Sequence, residues 1–288
     1  MRGILLVVIA TVAFALADVI TKHLTMIYAV PLVIALRYLV NLALLVVTLA
    51  PRHGRALIAT RRTGLVLLRG SCLAVASLTM GIALRYMPVG ETVAIIYVAP
   101  IGVMLLAVPL LGERVALSGW IGAAVGFFGV LLIVRPGAGL DPVGVGFALM
   151  NALCAIAYHL LSRVLARTET TIAMQFYTAL VGAVVFCLML PFTDLTVLPQ
   201  GTDLVLVLAL GGLATLGHLL FTAAYREAPA SLLAPVNYLH LVWASILGVV
   251  FFGHMPDALT IIGMAMVAGA GIAIALRAHF TRQRPYRV

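Results

Sequence analysis

Charge is scarce in this chain. Only 9% of its 288 residues are Asp, Glu, Lys or Arg, and only nine are acidic. A soluble domain carries about a quarter charged residues, so an ordinary water-facing surface is excluded. Cysteine is nearly absent as well. Cys72, Cys154 and Cys187 each fall inside an apolar run, without the paired spacing of a zinc or redox motif. They read as small packing residues. No G-x-x-x-x-G-K-[ST] occurs, so a P-loop does not drive the protein with ATP. Neither G-x-S-x-G nor H-E-x-x-H occurs, and only one acid lies deep in an apolar run, so the chain is not read as an enzyme and no cofactor or metal is expected. Alternating apolar and polar residues, the pattern of membrane strands, are missing too.

What is present is apolar length. The chain is 64% hydrophobic, and a helix needs roughly 20 apolar residues to cross a bilayer core. Ten such runs can be drawn, at about 3–22, 31–50, 64–85, 89–111, 115–134, 144–163, 171–191, 203–225, 230–252 and 257–277. The expected class is an all-α membrane protein of ten transmembrane helices. The first run is long for a signal peptide and carries Asp18 and Lys22, so it reads as a true span.

The net charge of +9 becomes meaningful once it is placed. With the N-terminus on the cytoplasmic side and ten alternating spans, thirteen arginines fall inside, from Arg2 through the Pro51–Thr63 loop to the C-terminal tail. Lys22, Arg85 and Arg135 fall outside, and Arg37 and Arg69 lie within spans. This is a positive-inside bias. It puts both ends in the cytoplasm and makes the basic stretches topology signals and lipid contacts, with no nucleic acid as partner. Arg69 is expected to snorkel to the inner face.

A repeat runs through the chain. Shifted by 141 residues, Arg85–Ala124 matches Arg226–Ala265 at nine of forty positions without a gap, and Pro88 falls on Pro229, Tyr97 on Tyr238, Gly112 on Gly253 and Gly122 on Gly263. The Pro/Gly turn at 135–142 divides a first five-helix repeat, 1–142, from a second, 143–288. Five spans is an odd number, so the second copy enters the membrane the other way up. Inverted repeats of this kind underlie alternating access, with the site near the midplane.

Polar residues within the spans are the candidate site. Asp18, with Lys22 one turn on, reads either as a functional acid or as one half of an i, i+4 clip. Arg37 and Asn41 share a stripe on span 2. Arg37 reads as a snorkelling cation, as a partner for Asp18 or as a fixed charge for a substrate carboxylate. Glu91 falls in the first turn of span 4, where a carboxylate suits the helix dipole. Tyr97 lies deeper, and Pro100 removes a backbone donor, so span 4 should bend there. Span 9 has Leu241 at the equivalent place and is expected to stay unbent while carrying more of the recognition. Tyr158 and His159 on span 6, His218 on span 8 and Asn237, Tyr238, His240 and Trp243 on span 9 complete an aromatic set with convergent polar groups, which is how small-molecule pockets are built. His159 and the span 9 residues also read as packed core. Gly122 and Gly126 on span 5 read as a small-xxx-small packing face.

Four stretches carry a resemblance. Phe14–Lys22, Ala83–Pro88, Val98–Pro100 followed by Leu111–Arg114, and Gly122–Val130 resemble the drug/metabolite transporter superfamily, specifically its EamA-type ten-helix exporters. The usual tryptophan of the first helix is absent, and in the second copy Gly253-His254-Met255 stands for Gly-Glu-Arg. Within the superfamily the chain is most similar to the YddG-type aromatic amino-acid exporters. The resemblance implies a multi-pass protein of the bacterial inner membrane that exports amino acids, aromatic or large apolar, and related metabolites. It would work as a monomer or homodimer, with a small-molecule substrate and the lipid bilayer as its partners. Another small solute of the same superfamily is the alternative, with a channel or intramembrane enzyme far behind.

Overall fold

The computed structural model describes residues 2–111, 117–135, 139–165, 168–227 and 236–282. The protein is 86% helical, with no strand among the described residues. Its α-helices are α1 (Arg2–Ile27), α2 (Val30–His53), α3 (Thr63–Tyr86), α4 (Val89–Ile96), α5 (Ala99–Leu111), α6 (Leu117–Val134), α7 (Pro142–Leu165), α8 (Thr171–Met189), α9 (Thr202–Glu227), α10 (Leu239–Phe252) and α11 (Ala258–Arg282). Six, α1, α2, α3, α7, α8 and α9, contain apolar stretches long enough to cross a membrane, and four shorter apolar helical segments join them. The Gly112-Glu113-Arg114 stop and Pro229 lie outside the described residues.

The outer surface is built for lipid. Val47, Leu188 and Val250 are about 70% exposed (72%, 68% and 68%), and Phe127 and Phe128 also face outward. In water such a surface would aggregate. In hydrocarbon it is the ordinary exterior, because a helix satisfies the backbone groups of its interior within itself.

The helices pack in a regular scheme. α1 lies on α9, α3 on α7, α2 on α8, α4 on α10 and α6 on α11. A shift of 141 residues exchanges the first two pairs and returns α2–α8 and α6–α11 each to itself, while α10 is the counterpart of α5. The α6–α11 contact depends on glycine. A Cβ on Gly129 would meet the Gly263 carbonyl at 2.8 Å, and one on Gly263 would meet the Gly129 carbonyl at 2.6 Å. Gly126 gives room to Ile101.

Polar ties close both ends of the bundle. At the end expected to face outward, Lys22 Nζ donates to the Leu84 and Met87 carbonyls, both at 2.7 Å, and so caps α3. His254 Nε2 lies 3.0 Å from Glu91 Oε1, and Arg135 pairs with Asp257. At the opposite end, Glu169 accepts from the backbone N–H groups of Arg61 and Arg62 at 2.9–3.1 Å. Lys22 therefore does not form the i, i+4 clip with Asp18. The C=O groups at a helix end are unpaired acceptors, and a buried ammonium finds two of them there.

Candidate functional site

Two helix interruptions meet at the centre. α4 ends at Ile96, the chain turns through Tyr97 (φ −69°, ψ 2°), and α5 resumes at Ala99. The cause is local. Pro100 has no N–H, so the Ile96 carbonyl loses its donor four residues on. The chain tightens instead: Val98 N–H bonds the Ile95 carbonyl at 3.2 Å, and Ile101 and Gly102 both bond that of Val98. The Pro100 side chain lies outside the described residues. In the other half, residues 236–237 are helical, Tyr238 is a turn (φ −67°, ψ −12°), and α10 starts at Leu239. The expectation of an unbent span 9 is corrected here. It is interrupted at the position equivalent to Tyr97, without a proline. The two tyrosine rings stand edge to face at 5.2 Å, and Tyr97 Oη donates to the Asn237 carbonyl at 3.0 Å.

A polar relay grows from this junction. His240 Nδ1 is 3.2 Å from Tyr97 Oη, and His240 Nε2 is 3.0 Å from Asp18 Oδ2. The Tyr97 hydroxyl also donates to the Asn237 carbonyl, so a tyrosine, an imidazole and a carboxyl group are chained between the two ends of the sequence. The His240 and Asp18 side chains are mostly buried, at 13% and 17% exposure. A charge deep in the membrane is costly unless paired, and this arrangement supplies the pairing across α1 and α10.

Phe14, one turn before Asp18 on α1, lines the same region. Its ring is edge-on to His240 at 6.1 Å and to His218 at 5.1 Å. Gly217 makes room for it, because a Cβ there would meet the ring at 2.6 Å.

Beyond Phe14 lies a cavity of about 70 Å³ between α2, α3, α8 and α9, walled by Arg37, Asn41, Ser77, Gln175, Thr178 and His218 among others. Arg37 Nη2 donates to Ser77 Oγ at 2.7 Å, and its guanidinium lies over the Tyr38 ring at 4.7 Å. Arg37 is thus not the partner of Asp18. Arg69 sits behind the cavity, 6% exposed. It donates to Ser162 Oγ, the Met174 carbonyl, Thr178 Oγ1 and Tyr158 Oη, and stacks over the Tyr158 ring at 4.2 Å. The expectation that Arg69 snorkels to the inner face is corrected. Hydroxyls on α7 and α8 give it acceptors inside the bundle.

The expected site residues thus fall into groups. Asp18, Tyr97, Asn237, Tyr238 and His240 come together, and Arg37, Asn41 and His218 line the neighbouring cavity. Tyr158 holds Arg69, and His159 stands exposed and edge-on to Tyr158 at 5.3 Å. Trp243 packs against the apolar cluster of Val93, Leu241 and Ala244, its indole Nε1 buried without a partner. Lys22 and Glu91 belong to the polar ties at one end.

Comparison with known proteins places this arrangement. The EamA-like transporter family matches residues 1–135 and again 142–277. The chain belongs to that family. It is similar to a transporter of Helicobacter pylori, at 29% identity over 186 residues, and there it spans only 62% of that protein's length. It is 28% identical to a riboflavin transporter of Rhizobium johnstonii, covering 98% of this chain and 93% of the relative. It is 26% identical to a pseudopaline exporter of Pseudomonas aeruginosa, covering 94% and 95%. A solved crystal structure shares the fold at 22% identity, with a TM-score of 0.67 over 96% of this chain and 98% of the other. This EamA-like chain is a multi-pass membrane protein.

Four residues of the two central groups escaped the reading of the sequence as site residues. Phe14 and Ser77 look like any apolar or small residue in a span. Gln175 was visible as a polar residue near a span end. Arg69 lay close enough to a span end to suggest snorkelling. For Arg69 the available signal was Ser162 and Thr178, two hydroxyls placed inside other spans.

Proposed function

We propose that this EamA-like protein is a secondary transporter of the bacterial inner membrane, exporting amino acids with aromatic or large apolar side chains and related small metabolites by alternating access. The two units are the five-helix halves 1–142 and 143–288, inserted with opposite topology, which makes ten spans with both ends in the cytoplasm. The packing scheme supports this, because a shift of 141 residues exchanges the α1–α9 and α3–α7 pairs and maps α2–α8 and α6–α11 each onto itself. The observation that carries the reading is the meeting of two interrupted helices at Tyr97 and Tyr238, beside the Asp18–His240 pair. Discontinuous helices near the midplane are where secondary transporters bind substrate, and an aromatic wall with a few polar groups suits an amphipathic solute.

The riboflavin and pseudopaline relatives favour a second reading, in which the cargo is another amphipathic metabolite. Purified protein in liposomes separates the two. A panel of labelled amino acids is offered beside riboflavin, and uptake is followed against concentration. Saturable uptake of aromatic amino acids, competed by unlabelled ones, supports the proposal. Saturable uptake of riboflavin alone transfers it to the second reading, and an unsaturable electrogenic current refutes both.

A further inference from the structure

We propose that the cavity between α2, α3, α8 and α9 takes the charged headgroup of an α-amino acid, with Arg37 on the carboxylate and Asn41 Oδ1 on the ammonium group. The inference rests on the amino-acid reading above and goes beyond it by naming the atoms that recognise the substrate.

Arg37 is under-used as it stands. A guanidinium has five N–H donors in a planar fork suited to a carboxylate. Arg37 makes one hydrogen bond, to Ser77. Among the described residues no carboxylate lies within ion-pair distance of it; the pairs involve Arg2, His23, Arg135, His240 and His254. Its plane is nevertheless fixed. It stacks on Tyr38, and Tyr38 stacks on Phe186 at 5.7 Å and 14°. Gly182 makes this possible, because a Cβ there would meet the Tyr38 ring at 2.3 Å. A preoriented cation facing a cavity is a binding element, since it loses little freedom on engaging a ligand.

Arg69 strengthens the field. Its four bonded partners are all neutral, and Thr178, one of them, also lines the cavity. Two guanidinium groups inside an apolar bundle, neither paired with a described carboxylate, favour an anion in the space beside them.

Asn41 supplies the other half. Its Oδ1 is buried, lines the cavity and has no hydrogen-bond partner among the described residues. A buried acceptor left unpaired costs free energy that a donor recovers. Arg37 and Asn41 are four residues apart on α2, so they share a face and both line the cavity. A donor fork and a bare acceptor on one cavity wall match a zwitterion, which offers a carboxylate and an ammonium group on one carbon. A carboxylic acid without an amine leaves Asn41 Oδ1 bare.

Size and direction agree. At 10–15 Å³ per water-sized occupant, a cavity of about 70 Å³ holds roughly five heavy atoms, the number in the headgroup N–Cα–CO₂. The side chain must leave the cavity. His218 lines the cavity and touches Phe14, and Phe14 touches His240 beside Tyr97 and Tyr238. An apolar side chain therefore passes along Phe14 toward the two interrupted helices.

The test uses the full chain in proteoliposomes with labelled L-phenylalanine as cargo. Phenethylamine, which lacks the carboxylate, and 3-phenylpropionate, which lacks the amine, serve as competitors. Arg37→Gln is expected to weaken L-phenylalanine about 10- to 100-fold, the scale of a lost charge-assisted hydrogen bond, and to leave phenethylamine competition unchanged. Asn41→Leu is expected to weaken L-phenylalanine and leave 3-phenylpropionate unchanged. Arg37→Lys keeps the charge without the fork and should fall between Arg37→Gln and wild type, which guards against a folding defect in the glutamine variant. Equal losses for L-phenylalanine and phenethylamine in Arg37→Gln, or no loss at all, overturn the headgroup assignment while amino-acid transport stands. In the wild type, 3-phenylpropionate competing as well as L-phenylalanine overturns the Asn41 half. A wild-type protein that moves no amino acid overturns the headgroup site and the amino-acid reading together.

Discussion

Replacing His240 with alanine tests the coupling between His240 and Asp18 at the central relay. The substitution leaves the Asp18 carboxylate without its partner 3.0 Å away, in a site where the two side chains are 13% and 17% exposed. Removing one member of a buried ion pair costs about 3–5 kcal/mol, and the remaining exposure favours the lower figure, ~3 kcal/mol. Asp18→Asn behaves differently. It is isosteric, and its amide can donate to His240 Nε2 while the other ring nitrogen stays beside Tyr97 Oη. Every hydrogen bond survives and no charge is left over, so the cost should stay below ~1 kcal/mol. The double variant removes the stranded charge and should recover ~2 kcal/mol relative to His240→Ala. Unfolding can be followed in detergent with a thiol-reactive dye reporting on Cys72, Cys154 and Cys187. At roughly 2 °C per kcal/mol for a chain of this size, His240→Ala falls by about 6 °C and Asp18→Asn by under about 2 °C. The double variant lies between them. That non-additivity is the signature of direct coupling. Equal drops for the two single variants, or a double variant that simply sums them, would refute direct coupling of Asp18 and His240.

Other sites make independent predictions. Lys22→Met strands the Leu84 and Met87 carbonyls at the end of α3; it should lower the unfolding temperature by several degrees, about 1–3 kcal/mol per stranded buried group at most. Gly263→Ala drives a Cβ into the Gly129 carbonyl and should cost about 1–3 kcal/mol, whereas Gly269→Ala meets nothing within 4 Å and should be neutral in the same assay. Asp257 stands just before α11, which begins at Ala258, and so outside the spanning helix; its carboxyl is held below the usual carboxylate range by the Thr260 backbone N–H first and by Arg135 after it. A depressed folded value means its contribution is present above the ordinary carboxylate value and lost as pH falls through the folded one. The stability difference between wild type and Asp257→Asn should therefore shrink on acidification below about pH 4; a difference that grows there contradicts the assignment.

The class was legible because length and composition leave few options. Long apolar runs without alternation can only be helices in lipid, and the stretches expected at about 3–22, 31–50 and 64–85 appear as the helices Arg2–Ile27, Val30–His53 and Thr63–Tyr86. The aromatic and polar cluster was legible in part, since Asp18, Tyr97 and His240 are unusual within spans. Pairing was not. Asp18 had Lys22 and Arg37 as nearer candidates by local spacing, and it pairs instead with His240, 222 residues away. Helical periodicity says which side chains share a face; it does not say which helix that face meets. Arg69 went astray for a related reason, because snorkelling is argued from distance to the span end, while its real acceptors lie on α7 and α8.

The interruption at Tyr238 bears on how such a protein could move. In the first half the break has a covalent cause, the missing N–H of Pro100. In the second half Leu241 has its N–H and bonds the Tyr238 carbonyl at 3.1 Å, and the turn is present all the same. Proline is therefore not what both breaks have in common. What they share is contact: Tyr97 Oη holds the Asn237 carbonyl, and the two rings pack against each other. A break held by tertiary contacts can be re-formed when those contacts change, whereas a break held by proline persists. The two halves would then differ in the manner of their bending. The first half would pivot at a fixed hinge, and the second would open or close its turn according to what occupies the junction.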